Sequence, residues 1–157
     1  MTNRIHRRTA RDQLRRWVHL SWTDRRLLAE AGLFLPLTGA LLRLLGFSRC
    51  QSLFLRLAPQ PAARTVDDEA LARARTAARL VKVAADRGLY HATCVPQSLV
   101  LWWMVRRQGT AAAFRIGVRK TGDRFEAHAW VECNGVAIND DADVHERFIP
   151  FGRAIVQ

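Results

Sequence analysis

Apolar residues recur at helical spacing through the first 108 residues of the chain, and at alternate positions from Ala111 onward. The pattern predicts helices followed by strands, an α+β chain. Residues 1–58 read as helical. Ser21 is placed to cap a helix whose first turn holds Asp24, where an acid suits the positive end of the helix dipole. Leu27, Leu28, Ala31 and Leu35 form its stripe, and Pro36 and Gly39 are expected to break or kink it. Leu41, Leu42, Leu44 and Leu45 make a second helix ending near Gly46, and Cys50 to Leu57 a third short segment. Residues 58–62, Ala-Pro-Gln-Pro-Ala, are the one linker-like stretch. They divide a helical N-terminal subdomain (1–62) from a core (63–157).

In the core, Thr65 is expected to open a helix, with Asp68 three residues on as a capping box in which Asp replaces Glu. Leu71, Ala74, Ala78, Val81 and Ala85 form its apolar stripe, and Gly88 ends it. Thr93 is the expected N-cap of the next helix, from Cys94 to about Gln108. Pro96 sits in its first turn, where a missing N–H costs nothing. Strands are predicted at Phe114–Arg119, Phe125–Cys133 and Val136–Asn139, with a turn at 121–123. Trp102 and Trp103 lie among Leu99, Leu101 and Met104 and read as core.

Composition narrows the class. A chain of 157 residues with 49% apolar residues fits one domain with a real core. The net charge of +11 is uneven, since residues 1–60 hold eleven Arg against three acids. Such basicity favours an anionic partner, and a solubilising helix face accounts for the same arginines. No nucleic-acid motif accompanies it. Cys50, Cys94 and Cys133 make an odd set with no CxxC pair, neither a disulfide framework nor zinc spacing. Free thiols fit a reducing compartment. No apolar h-region follows the N-terminal charges, and the run Ala31–Phe47 is short for a bilayer and holds Pro36, Gly39 and Arg43. The expectation is a cytoplasmic protein, at most peripheral at a membrane, with no transmembrane segment, metal or cofactor.

The candidate chemistry lies in an ordered trio, Cys94, His128 and Asp140. A thiol, an imidazole and a carboxylate are the parts of a cysteine-nucleophile site. The first turn of a helix favours thiolate and offers N–H groups to an oxyanion. Cys50 and Cys133 have no such setting and read as packing residues. His128 sits mid-strand between Ala127 and Ala129, and Trp130 on its face is placed to shield the ring. Gln97 is a minor candidate oxyanion donor. Glu126 and Glu132 share the His128 face as substrate-side or solvated acids. Asp143, Glu146 and Arg147 read as polar surface, and His91 and His145 have no ligand spacing.

Register bears on the carboxylate. If Asn134-Gly135 forms a two-residue type I′ turn, Cys133 faces Val136 and Asp141 lands opposite His128. If Cys133-Asn134 forms a type I turn with Gly135 as a bulge, Asp140 lands there instead. A one-residue slip turns every side chain to the other face. Asp140 as the orienting group is therefore expected to require the three-residue turn, with Asp141 as the fallback.

The segments CVPQSLVL (94–101), RIGV (115–118), AHAWVE (127–132) and NGVAIND (134–140) resemble the lasso-peptide B protein, a transglutaminase-like cysteine protease. The helical lead-in from Asp24 to Leu53 is similar to that family as well. The resemblance implies a transglutaminase-like or papain-like core, with the nucleophile at a helix N-terminus packed on an antiparallel sheet. It implies Cys94 as nucleophile, His128 as general base and acid, and Asp140 as orienter. The implied activity removes the leader from a ribosomally made precursor peptide, before an ATP-dependent cyclase closes the freed amine onto an acidic side chain. The chain resembles the split form, whose leader-recognition domain is a separate small protein. The alternatives are an amide-forming acyltransferase on the same trio, and a non-catalytic basic binding module.

Overall fold

The computed structural model describes residues 21–58, 66–88 and 90–151. The expected linker from Pro59 and the expected cap Thr65 lie outside them, as do the six N-terminal arginines. Three long helices come first: α1 (Trp22–Leu57), α2 (Asp68–Arg87) and α3 (Cys94–Arg107). Then follow β1 (Ala113–Thr121), β2 (Arg124–Cys133), β3 (Val136–Ala137), the single turn α4 (Val144–Arg147) and β4 (Ile149–Pro150). The strands form one antiparallel sheet in the order β3-β2-β1-β4. A helical N-terminal part followed by an antiparallel sheet is the α+β order that the pattern predicts. The elements α4 and β4 have no counterpart in that reading, being too short to show a period.

The helix starts and stops have local causes. Ser21 Oγ accepts from Asp24 N at 3.1 Å and caps α1. At α2 the cap is Asp67, not Thr65: its carboxylate accepts from Ala70 N at 2.7 Å, and Gly88 closes the far end. Neither Pro36 nor Gly39 breaks α1. Pro36 lies on the exposed side, where water can reach the carbonyl its ring leaves unbonded. Gly39 is buried because Tyr90 sits on it; a Cβ there would come within 2.2 Å of the Tyr90 hydroxyl oxygen. The break is at Gly46, with φ 76° and ψ 170°, a conformation closed to other residues at low cost.

One core joins the three helices to one face of the sheet. Leu35, Leu80, Leu99, Trp102, Phe114 and Val131 are all buried in it. Trp102 Nε1 donates to Ala112 O at 3.0 Å, so the core reading of Trp102 and Trp103 holds. The other face carries a small second cluster of Trp130, Ala137, Val144 and Phe148. Helix α1, which carries the apolar run Ala31–Phe47, is only partly buried. It buries Leu28, Ala31, Leu35, Cys50 and Phe54 but exposes Leu33, Leu37 and Leu44. By length and composition alone, it is the one helix among the described residues that meets the requirement for crossing a bilayer.

The β2–β3 turn corrects the register expectation. Asn134 (φ 51°) and Gly135 (φ 76°) form the two-residue turn, and Cys133 faces Val136. On an extended ladder that register would set Asp141 against His128. The ladder does not extend. Its last main-chain bond is Ile138 N to Val131 O at 3.0 Å, after which the chain bends over 138–140. Asn139 Oδ1 then accepts from Val131 N at 2.8 Å, in place of a ladder carbonyl. Asp140 reaches His128 from the bend, so no three-residue turn is needed and the Asp141 fallback falls away.

Cys50 and Cys133 are fully buried. Burial pushes both thiols up, Cys133 to about 11. The folded state therefore favours the neutral thiol at Cys133. That contribution is complete below about pH 9 and is lost as pH rises through about 11. Urea unfolding across this range should show Cys133→Ala losing less stability than the wild type, by on the order of 2 kcal/mol.

Candidate active site

Cys94 is the first residue of α3 and is half-buried. Thr93 takes the N-cap position with extended backbone, but its side chain makes no cap bond. Pro96 has no N–H to offer, and Gln97 N bonds back to Thr93 O. The Gln97 amide donates to Ala92 O at 2.6 Å, so it fastens the approach to α3 and is not placed as an oxyanion donor.

His128 lies on β2 opposite Gly117 of β1. Its ring stacks on Trp130, with centroids 6.2 Å apart and planes 18° apart, and lies 5.0 Å from the Phe148 ring. Gly117 makes room for this stack, since a Cβ there would meet the Trp130 ring at 2.9 Å. Trp130 is itself tied down. Its Nε1 donates at 2.7 Å to Glu132, which is buried and paired with Arg115 at 2.9 Å. Glu132 is thus neither solvated nor at a substrate surface, while Glu126 pairs on the exterior with Arg119.

His128 Nε2 hydrogen-bonds to Asp140 Oδ2. The other carboxylate oxygen accepts from Asp141 N at 2.8 Å and from Arg147 Nη2. Burial pushes the Asp140 carboxyl up, but the bonds from His128, the Asp141 N–H and Arg147 outweigh it and hold it below the usual value. The ion pairs with Asp140 and Asp143 raise Arg147 in turn. Arg147 therefore belongs to the site and not to a plain polar surface. Nothing in its local sequence marks it, because α4 brings it back to Asp140 from outside the strand pattern. With Nε2 donating to Asp140, the neutral His128 ring has Nδ1 as its free acceptor.

A clamp absent from the sequence reading ties these elements together. Ser98, one turn below Cys94, is buried and donates to Ala129 O at 2.9 Å. Asn139 Nδ2 donates to Ser98 Oγ at 3.0 Å. The neighbours of Cys94, His128 and Asp140 are thus linked through one hydroxyl and one amide. A polar Ser inside the apolar run Val95–Val105 was the available signal. Ser98→Ala leaves the buried Ala129 carbonyl and the half-buried Asn139 amide without their partner and should cost about 1–3 kcal/mol in urea unfolding. It should also lower kcat about 10–100-fold with little change in KM, since positioning and not binding is lost.

Cys94, His128 and Asp140 all line one open cleft of about 650 Å³, with α2 forming its other wall. A second groove of about 700 Å³ between α1, α2 and α3 shares no residue with it and holds mainly ion pairs such as Arg26–Glu30 over Leu27 and Met104. Among the described residues no group of His, Cys, Asp and Glu is arranged to hold a metal.

Comparison with known protein families matches a model of the transglutaminase-like superfamily to residues 34–152. No curated protein and no solved structure matches the chain. The matched span begins in the middle of α1, contains every residue of the cleft and ends just past β4; the chain belongs to the transglutaminase-like superfamily.

Proposed function

We propose that this protein is the leader peptidase of lasso-peptide biosynthesis, a cysteine protease acting on a ribosomally made precursor. Members of the superfamily are usually cysteine-based enzymes, and the fold fits either a protease or an acyltransferase. The observation that carries the reading is the His128 ring, held through Nε2 by Asp140 on the cleft that Cys94 lines. The four sequence segments shared with the lasso B proteins support the choice of substrate.

In this reading the Cys94 thiol gives its proton to His128 Nδ1, and the thiolate attacks the carbonyl of the last leader residue. The N–H groups of Cys94 and Val95, uncovered by any cap, hold the oxyanion. His128 returns the proton to the leaving amine of the core peptide, leaving the leader as a thioester. Water, deprotonated by His128, then releases the leader acid and restores the thiol. Asp140 keeps Nε2 protonated and stabilises the imidazolium between the two transfers. A separate leader-recognition protein delivers the precursor, and an ATP-dependent cyclase takes the freed amine.

The test is mass spectrometry of a leader-containing precursor incubated with the protein, with and without the leader-recognition partner, wild type beside Cys94→Ala. Separate leader acid and core amine, absent with the variant, support the peptidase. A leader joined to an added amine in place of the free acid would make it an acyltransferase. An uncut precursor under every pairing would overturn the assignment.

A further inference from the structure

The wall of the cleft facing Cys94 is cationic. Arg75, Arg79 and Lys82 of α2 stand four and three residues apart, on one helix face, and all three line the cleft. All are exposed. Lys82 pairs with Asp86 at 3.1 Å at the surface, a bond that solvent weakens. Arg75 and Arg79 have no ion pair among the described residues. Across the cleft, Asp140 is already taken by His128 and Arg147, so Asp141 is the remaining carboxylate. Apart from the surface pair of Lys82 these cations carry no ion pair among the described residues, and a wall of one sign beside a reacting group concentrates the opposite charge there.

Resting on the reading of Cys94 as the reacting group, we infer that the cleft selects an acidic stretch of polypeptide, its carboxylates laid along Arg75, Arg79 and Lys82. A peptide fits better than a polynucleotide. Between the charges the floor is aliphatic, with Val81, Leu101 and Ile138, and no Trp, Tyr or Phe lines the cleft for bases to stack on.

Two alkylating reagents of like size test this without a known substrate. The rate of Cys94 modification by iodoacetate relative to iodoacetamide, divided by the same ratio for glutathione, should be raised about tenfold at low salt. It should fall several-fold in the triple variant Arg75→Gln/Arg79→Gln/Lys82→Gln, and likewise in wild type at about 1 M salt, where screening is nearly complete. The substitutions are at exposed positions, and Cys94 reactivity toward the neutral reagent should persist in the variant. A short oligoglutamate peptide should protect Cys94 from iodoacetamide, and single-stranded DNA should not. A ratio indifferent to the triple substitution would overturn the inference and leave the peptidase reading standing. Protection by DNA alone would replace the acidic peptide with a nucleic acid. A Cys94 inert to both reagents would take the catalytic reading and this inference down together.

Discussion

Cys94→Ala is expected to reduce cleavage roughly 10⁶-fold, the order seen when the covalent nucleophile of a hydrolase triad is removed. Neither remaining thiol can take its place. Cys50 and Cys133 are fully buried, and burial favours their neutral form. Water acting directly through His128 lacks the covalent intermediate that divides the reaction into two easier steps. The fold should not notice the change. Cys94 is half-buried at the first position of α3 and makes no side-chain hydrogen bond among the described residues, and alanine is a good helix former. Its urea midpoint should therefore barely move, the unfolding free energy staying within about 0.5 kcal/mol of wild type. Initial rates of leader release measured beside that midpoint separate a lost nucleophile from a lost fold. A variant that retains a tenth of wild-type activity would show that the thiol is not the attacking group.

The elements of this site differ in how far the sequence exposed them. The start of α3 was legible because Thr93, Cys94 and Pro96 stand where helix termini place such residues. The strand carrying His128 was legible because Phe125–Cys133 alternates. Local rules failed at Asp140. The two-residue turn at Asn134-Gly135 sets a register that would face Asp141 toward His128, and only a three-dimensional event reverses it. That event is Asn139 leaving the ladder to bond Val131 N and Ser98, two residues far apart in the chain. Arg147 and Phe148 were illegible for the same reason. They reach Asp140 and His128 through a single helical turn whose place against the sheet is a tertiary fact. Pro36 and Gly39 misled in the opposite direction. Their helix-breaking tendency is real, but packing against Tyr90 requires the glycine and solvent accommodates the proline.

Asp140→Asn is expected to lower kcat about 10³–10⁴-fold, more than loss of one charge alone would cause. The reason lies in the far side of the carboxylate. Oδ1 receives Arg147 Nη2 and Asp141 N, two donors that require an oxygen. An asparagine amide at 140 would turn its oxygen toward them and its NH₂ toward His128. The ring would then have to accept at Nε2, placing its proton on Nδ1, where it can no longer take one from Cys94. Adding Arg147→Ala removes one of the two donors and frees the amide to turn. The double variant should recover about tenfold over Asp140→Asn, even though Arg147→Ala alone weakens the wild-type site. A structural role for the pair would predict the reverse, with the double variant the worse. The pH dependence of folding stability, which Asp140→Asn should flatten at acid pH, gives a second readout. The depressed Asp140 carboxyl contributes its stabilisation above the ordinary value of 3.8 and loses it as pH falls through the lower folded value. A loss in kcat below about tenfold on Asp140→Asn would mean that Asp140 does not orient the ring.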